Sequence, residues 1–207
     1  MKLFIFTDLH GNQKIFDKIK KRVKKEKPDA ILCGGDITSF GVGAKTWLNK
    51  YDSLKIPLFV IPGNPPHETI EEVEVYSKPL KFVKNLHLRS TIFNSVLLLG
   101  IGNGGFTNEH EEFKEIEKSF AKEVKKVRAK NKDAKVILMV HQPPYKTEVD
   151  YLSWAGHTGS KPARRFIEKY QPDLCLTGHL HETFGKKFQI KKTLIINPGP
   201  KGIFVEI

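Results

Sequence analysis

Two cysteines in 207 residues exclude a disulfide framework. Cys33 and Cys175 each sit inside an apolar, strand-like run, which reads as a pair of buried free thiols in a reducing, cytoplasmic setting. Long hydrophobic runs are missing too. The stretch from Leu3 to Phe6 is too short for a signal-peptide core and runs directly into Asp8, and no apolar run approaches the ~20 residues a membrane helix requires. No membrane partner is expected. Acidic residues are in deficit, with 23 Asp+Glu against 35 Lys+Arg and a net charge of +12. Such an excess favours polyanions, but the lysines fall mostly on the outer faces of amphipathic segments. Between Lys14 and Lys27 the stripe Ile15, Phe16, Ile19 and Val23 leaves Lys14, Lys18, Lys21, Lys24 and Lys25 to solvent. From Glu109 to Lys130 the stripe is Phe113, Ile116, Phe120, Val124 and Val127. A nucleic-acid partner is compatible with this charge and not required by it. No internal repeat appears, and 207 residues with 39% hydrophobic content predict one domain, 1–207, with its own core.

What is present is a series of short apolar strands that end in polar, metal-ligating residues. Strand Leu3 to Phe6 runs into Asp8-Leu9-His10, a doublet that reaches one ion if the chain stays extended through Leu9. A helix near Lys14 to Glu26 follows, then a strand from Ala30 to Cys33 ending in Gly34-Gly35-Asp36, a helix from about Ala44 to Tyr51, and a strand from Leu58 to Ile61 ending in Gly63-Asn64. Leu86 to Phe93 and Ser95 to Ile101 read as adjacent strands joined at Asn94-Ser95, with the flexible Gly102-Asn103-Gly104-Gly105 loop next. Lys135 to Val140 is a β-branched and aliphatic strand ending at His141. A helix from about Pro162 to Tyr170, capped by Ser160, precedes Leu174 to Leu176, which ends in Gly178-His179-Leu180-His181. Thr193 to Ile196 and Ile203 to Glu206 are the last expected strands.

Each polar residue has an ordinary alternative. Asp8 suits a helix cap, Asp36 and Asn64 suit turns, His141 suits a hydrogen-bonded core position, and His179 and His181 suit a glycine-rich corner. Their recurrence at successive strand ends favours a site, since open α/β sheets place ligands at the carboxyl ends of strands. The mixed oxygen and imidazole donors suit Mn, Fe, Co, Ni or Zn. His87 and His110 read as ordinary surface or strand residues.

In order along the chain, Asp8-Leu9-His10, Gly35-Asp36, Gly63-Asn64, His141 and Gly178-His179-Leu180-His181 resemble the blocks of the calcineurin-like metallophosphoesterase family, in its small archaeal and bacterial form. The resemblance implies an α/β fold, a four-layer α/β/β/α sandwich of two mixed sheets flanked by helices. It implies two divalent ions, with manganese the expected choice in vitro. One would be held by Asp8, His10, Asp36 and His181, and the other by Asp36, Asn64, His141 and His179, with Asp36 bridging. The implied activity is hydrolysis of a phosphomonoester or phosphodiester by a hydroxide activated between the two metals, as in a phosphatase or phosphodiesterase.

The pattern departs from the family after Asn64, where the expected histidine is replaced by Pro65-Pro66 and His67-Glu68 follows. His67 is therefore expected either to fold back as the general acid or to sit at the surface before the next helix. His157, in Gly156-His157-Thr158-Gly159-Ser160, is expected to contact substrate. Two further functions stay open: a nuclease, suggested by the charge, and a non-catalytic interaction scaffold on the same fold. Oligomeric state carries no signal in the sequence.

Overall fold

Along β1 (Lys2–Phe6) alternate side chains leave the sheet on opposite faces, and both faces are buried. Phe4 and Phe6 enter one apolar cluster while Leu3 and Ile5 enter another. This explains why the strand reads as a continuous apolar run. The computed structural model describes residues 1–65 and 67–207, so Pro66 of the expected diproline lies outside the described residues.

The first half of the chain builds β2 (Ala30–Cys33), β3 (Leu58–Val60) and β4 (Val83–Asn85), with α1 (Gln13–Glu26), α2 (Ala44–Asp52) and α3 (Ile70–Ser77) between them. The second half builds β5 (Arg89–Phe93), β6 (Val96–Ile101), β7 (Val136–Val140), β8 (Tyr151–Leu152), β9 (Gly156–His157), β10 (Leu174–Leu176), β11 (Lys187–Ile190), β12 (Thr193–Ile196) and β13 (Ile203–Glu206), with α4 (Glu111–Lys130) and α5 (Lys161–Tyr170). One sheet has the order β13-β1-β2-β3-β4 and the other β11-β12-β10-β7-β6-β5. The inner strands pair in parallel, whereas β13, β11 and β5 pair antiparallel with their neighbours.

Three apolar layers hold these parts together. Phe16, Ile19 and Val23 of α1 and Trp47 and Tyr51 of α2 pack on the outer face of the first sheet. Leu32, Phe59, Leu98, Ile137 and Leu176 meet between the two sheets. Phe113, Phe120 and Phe166 cover the outer face of the second. The result is the four-layer α/β/β/α sandwich of two mixed sheets.

The structure revises three local expectations. The strand expected over Leu86 to Phe93 begins only at Arg89, because Leu88 takes a left-handed backbone (φ 54°) where the chain passes from β4 in one sheet to β5 in the other. The strands β4, β8, β9 and β11 are additions to the expected set; the first three are only two or three residues long, and the Lys-Phe-Gln-Ile sequence of β11 is too polar to stand out. His87 and His110, expected as surface or strand residues, are buried, at 6% and 3% exposure.

Candidate metal centre

The Asp8-Leu9-His10 segment is not extended. β1 ends at Phe6, and Asp8 and His10 both have positive φ, at 52° and 46°. The bends are held by backbone bonds from Asp8 N–H to the Gly35 carbonyl, His10 N–H to Asp36 and Gly11 N–H to Ile37. The two ligating side chains thus meet through a coiled backbone, not through strand geometry. Asp8 is also released from any capping duty, since Asn12 caps α1 by accepting the Ile15 N–H at 3.1 Å. Asp36 (φ 52°) and His179 (φ 69°) share the same left-handed conformation. Four non-glycine residues so constrained at the carboxyl ends of strands from both sheets mark a built site.

The carboxyl ends of β1, β2, β3, β7 and β10 bring Asp8, His10, Asp36, Asn64, His141, His179 and His181 together. Asp8, His10 and His181 form one close group, and Asp8, Asp36 and His141 a second. Asp36 Oδ2 lies 3.8 Å from His10 Nε2 and 3.6 Å from His141 Nε2. Asp8 belongs to both groups, with Oδ1 3.5 Å from His181 Nε2. Asn64 Oδ1 lies 3.1 Å from His141 Nε2 and 2.8 Å from His179 Nδ1.

Backbone carbonyls set the imidazole tautomers. His141 Nδ1 lies 2.7 Å from the Gly34 carbonyl and His10 Nδ1 lies 3.2 Å from that of Thr38, so each Nδ1–H donates outward. In the neutral rings this leaves the His141 Nε2 lone pair facing the Asp36 and Asn64 oxygens and the His10 Nε2 lone pair facing Asp36, oxygens that offer lone pairs of their own. Acceptors facing acceptors repel unless a proton or a cation lies between them. Asp36 Oδ1 and His179 Nε2 are buried with no hydrogen-bond partner among the described residues. The donor set, its orphaned atoms and its spacing therefore fit divalent cations.

Without a cation the same crowding is expressed as proton affinity. Burial alone would lower the His141 pKa, but the Asp36 carboxylate overcomes it and raises it to about 9. Burial would raise the Asp8 carboxyl, yet His181, His141 and the Thr7 hydroxyl, which donates to Oδ2 at 2.6 Å, hold it below its ordinary range. Asp8 in turn raises His181, whereas burial followed by His141 lowers His179 to about 4.

Glycines let these groups close in. A Cβ at Gly63 would overlap the Asp36 carboxylate, and one at Gly178 would overlap Thr7 Oγ1. Glu68, fully buried, accepts N–H bonds from Asp36, Gly63 and Thr38 at 3.1, 2.9 and 3.4 Å. Its place in the sequence showed an acid beside His67, but not that it organises backbone. Burial, then Asp36, raises its pKa to about 7.

His67 turns back toward the centre, with its ring centroid 4.9 Å from that of His10 and a buried Nδ1 without a partner among the described residues. It lines a cleft of about 520 Å³ together with Asp36, Asn64, His179 and His181. His157 does not line this cleft. Its Nδ1 pairs with Asp150 at 2.7 Å, and it faces a separate cavity of about 320 Å³ beside Lys146, Tyr151 and Lys186.

Residues 1–183 match the family model described as calcineurin-like phosphoesterase. The chain belongs to that family. It is 30% identical to a protein of Methanocaldococcus jannaschii, over 99% of this chain and 91% of that one. A probable glycerophosphodiester phosphodiesterase of Arcobacter nitrofigilis is 30% identical over 76% of this chain and 58% of its own length. Among solved structures, a Thermus thermophilus protein superposes with a TM-score of 0.73 at 18% identity, covering 97% of this chain and 90% of that one. A dimetal phosphatase from Danio rerio gives 0.67 at 9% identity, covering 95% and 86%. These last two likenesses speak for the shared fold. Among the described residues, no helix is long and apolar enough to cross a membrane.

Proposed function

We propose that this phosphoesterase-family chain is a dinuclear metal-dependent hydrolase of small phosphate esters. The observation that carries the reading is the convergence of His10, His141, Asp8, Asp36 and Asn64 with lone pairs facing one another around orphaned Asp36 Oδ1. Asp8, His10, Asp36 and His181 would hold one ion, and Asp36, Asn64, His141 and His179 the other. Mn, Fe, Co, Ni or Zn in this cradle would neutralise phosphoryl charge and lower the pKa of a nearby water.

The protein's own groups complete the site. Hydrolysis forms a new P–O bond to water and breaks the ester P–O bond, and the leaving oxygen needs a proton. His67 would hold that proton, a role supported by its contact with His10 and its place in the cleft lining. The Gly34 and Thr38 carbonyls keep the His141 and His10 rings oriented. No Lys or Arg is among the described residues that line the cleft, and Glu182 is there. An extended polyanion needs cations along its track, so the lining favours a single, compact ester over a polynucleotide despite the net charge of +12. The buried free thiols of Cys33 and Cys175 support a reducing, cytoplasmic setting.

Reconstitution with Mn²⁺ and assay on aryl phosphate mono- and diesters tests the reading. Asp36→Asn is expected to abolish hydrolysis and reduce bound metal. Retained activity with intact metal content would exclude the bridging role. Metal binding without turnover of any ester, with a protein partner retained, would favour the scaffold, and tight, salt-sensitive DNA or RNA binding the nuclease.

A further inference from the structure

The cleft mouth carries aromatic side chains that the hydrolytic reading does not use. Trp154 is 73% exposed and Phe106 is 62% exposed, both bordering the cleft. Their ring centroids are 6.4 Å apart, and Phe106 also sits 4.8 Å from the His179 ring. They form one wall running from solvent down to the metal centre. The other tryptophan, Trp47, is packed in the core at 7% exposure, so Trp154 is not exposed for want of space in the fold.

The wall is held firmly. Trp154 lies at the tip of the β8–β9 hairpin, whose base is organised by the buried Asp150 carboxylate. That carboxylate accepts N–H bonds from Lys146, Thr147 and Gly159 at 3.0, 2.8 and 3.0 Å. Gln142, next to His141, donates to the carbonyls of both Thr107 and Thr158, and Asn108 donates to that of Gly159 at 2.9 Å. The loop of Phe106 and the hairpin of Trp154 are thereby tied to each other and to the site.

Building on the phosphoesterase reading, we infer that Trp154 and Phe106 form a stacking subsite, and that the ester carries a planar aromatic group, a nucleobase or an aryl ring. A base or aryl ring placed beside the phosphate would stack on these two exposed faces, while metals held at the centre would take the charge. The lack of Lys and Arg among the described lining residues points the same way, since only one phosphate needs to be neutralised.

Two five-membered cyclic phosphodiesters isolate the effect: a nucleoside 2′,3′-cyclic phosphate and glycerol 1,2-cyclic phosphate, which present the same reacting ring with and without a base. The Mn²⁺-loaded wild type is expected to prefer the nucleoside ester in kcat/KM. Trp154→Ala is expected to reduce that preference at least about tenfold, the effect of one lost stacked base, through KM. Trp154→Phe should retain most of it. An arylmethyl phosphate diester in the same series separates a general aryl preference from a nucleobase preference. Equal activity on the base-bearing, aryl and alkyl esters, or an unchanged preference in Trp154→Ala, would overturn the subsite and leave the hydrolytic reading standing.

Fluorescence supplies a readout without turnover. Adenosine 5′-monophosphate should quench the emission of exposed Trp154 in the wild type and leave Trp154→Phe, which retains only buried Trp47, unquenched. Quenching in a protein that hydrolyses none of the esters would uphold the subsite while the hydrolytic reading fails. Absence of quenching by both adenosine 5′-monophosphate and phenyl phosphate would overturn the subsite.

Discussion

The buried carboxylate of Glu68 accepts the backbone N–H of Asp36 at 3.1 Å, and the same oxygen accepts that of Gly63 at 2.9 Å. One atom thus joins the loop after β2 to the loop after β3, and with them two of the expected ligand-bearing segments. Glu68→Gln keeps the shape but places an amide NH₂ among N–H donors. Metal affinity is expected to fall about 10- to 100-fold, as for other residues that orient ligands. Calorimetric Mn²⁺ titration checks this, and an unchanged affinity would contradict the positioning role.

His67 is expected to matter in proportion to the need of the leaving group for a proton. His67→Ala should slow an alkyl ester by about 10²–10⁴ and affect an activated aryl ester much less. Equal loss on both substrates, or none on either, would contradict a general-acid role.

The raised pKa of His141, about 9, makes metal uptake pH-dependent. A pKa raised in the fold adds stability to the metal-free protein that is fully present below about 6.5 and is lost as pH rises through about 9. Metal must displace that proton, so affinity should climb between these values, by up to about tenfold per pH unit. Thermal melts with Mn²⁺ and with a chelator should therefore separate more at pH 8.5 than at pH 6.5. A separation independent of pH would argue against His141 as a ligand.

His110 caps α4 with both ring nitrogens buried and unpartnered, and burial above all lowers its pKa to about 4. With the folded value below the ordinary one, stability is lost as pH falls from about 6.5 to about 4. His110→Phe should reduce that loss by an amount on the order of 3 kcal/mol. Glu68 titrates in part of the same window with the opposite sign, so the comparison is between the slopes of wild type and variant in urea melts. Parallel slopes would show that His110 charges in the fold as readily as in the unfolded chain.

The sequence by itself determined the layered architecture, because apolar runs such as Leu3 to Phe6 and Val136 to Val140 bury both faces and require cover on each side. It also determined which residues gather at the strand ends, since each stands directly after such a run. Tertiary structure decided how they are aimed. The left-handed turns at Asp8, His10 and Asp36 depend on backbone bonds to distant segments, and the ring orientations depend on the carbonyls of Gly34 and Thr38. A main-chain carbonyl is the same atom in every residue, so sequence carries no sign of it. The same holds for Trp154, an isolated aromatic in a polar loop that becomes part of the cleft only when the Asp150-centred hairpin and the Phe106 loop fold against each other.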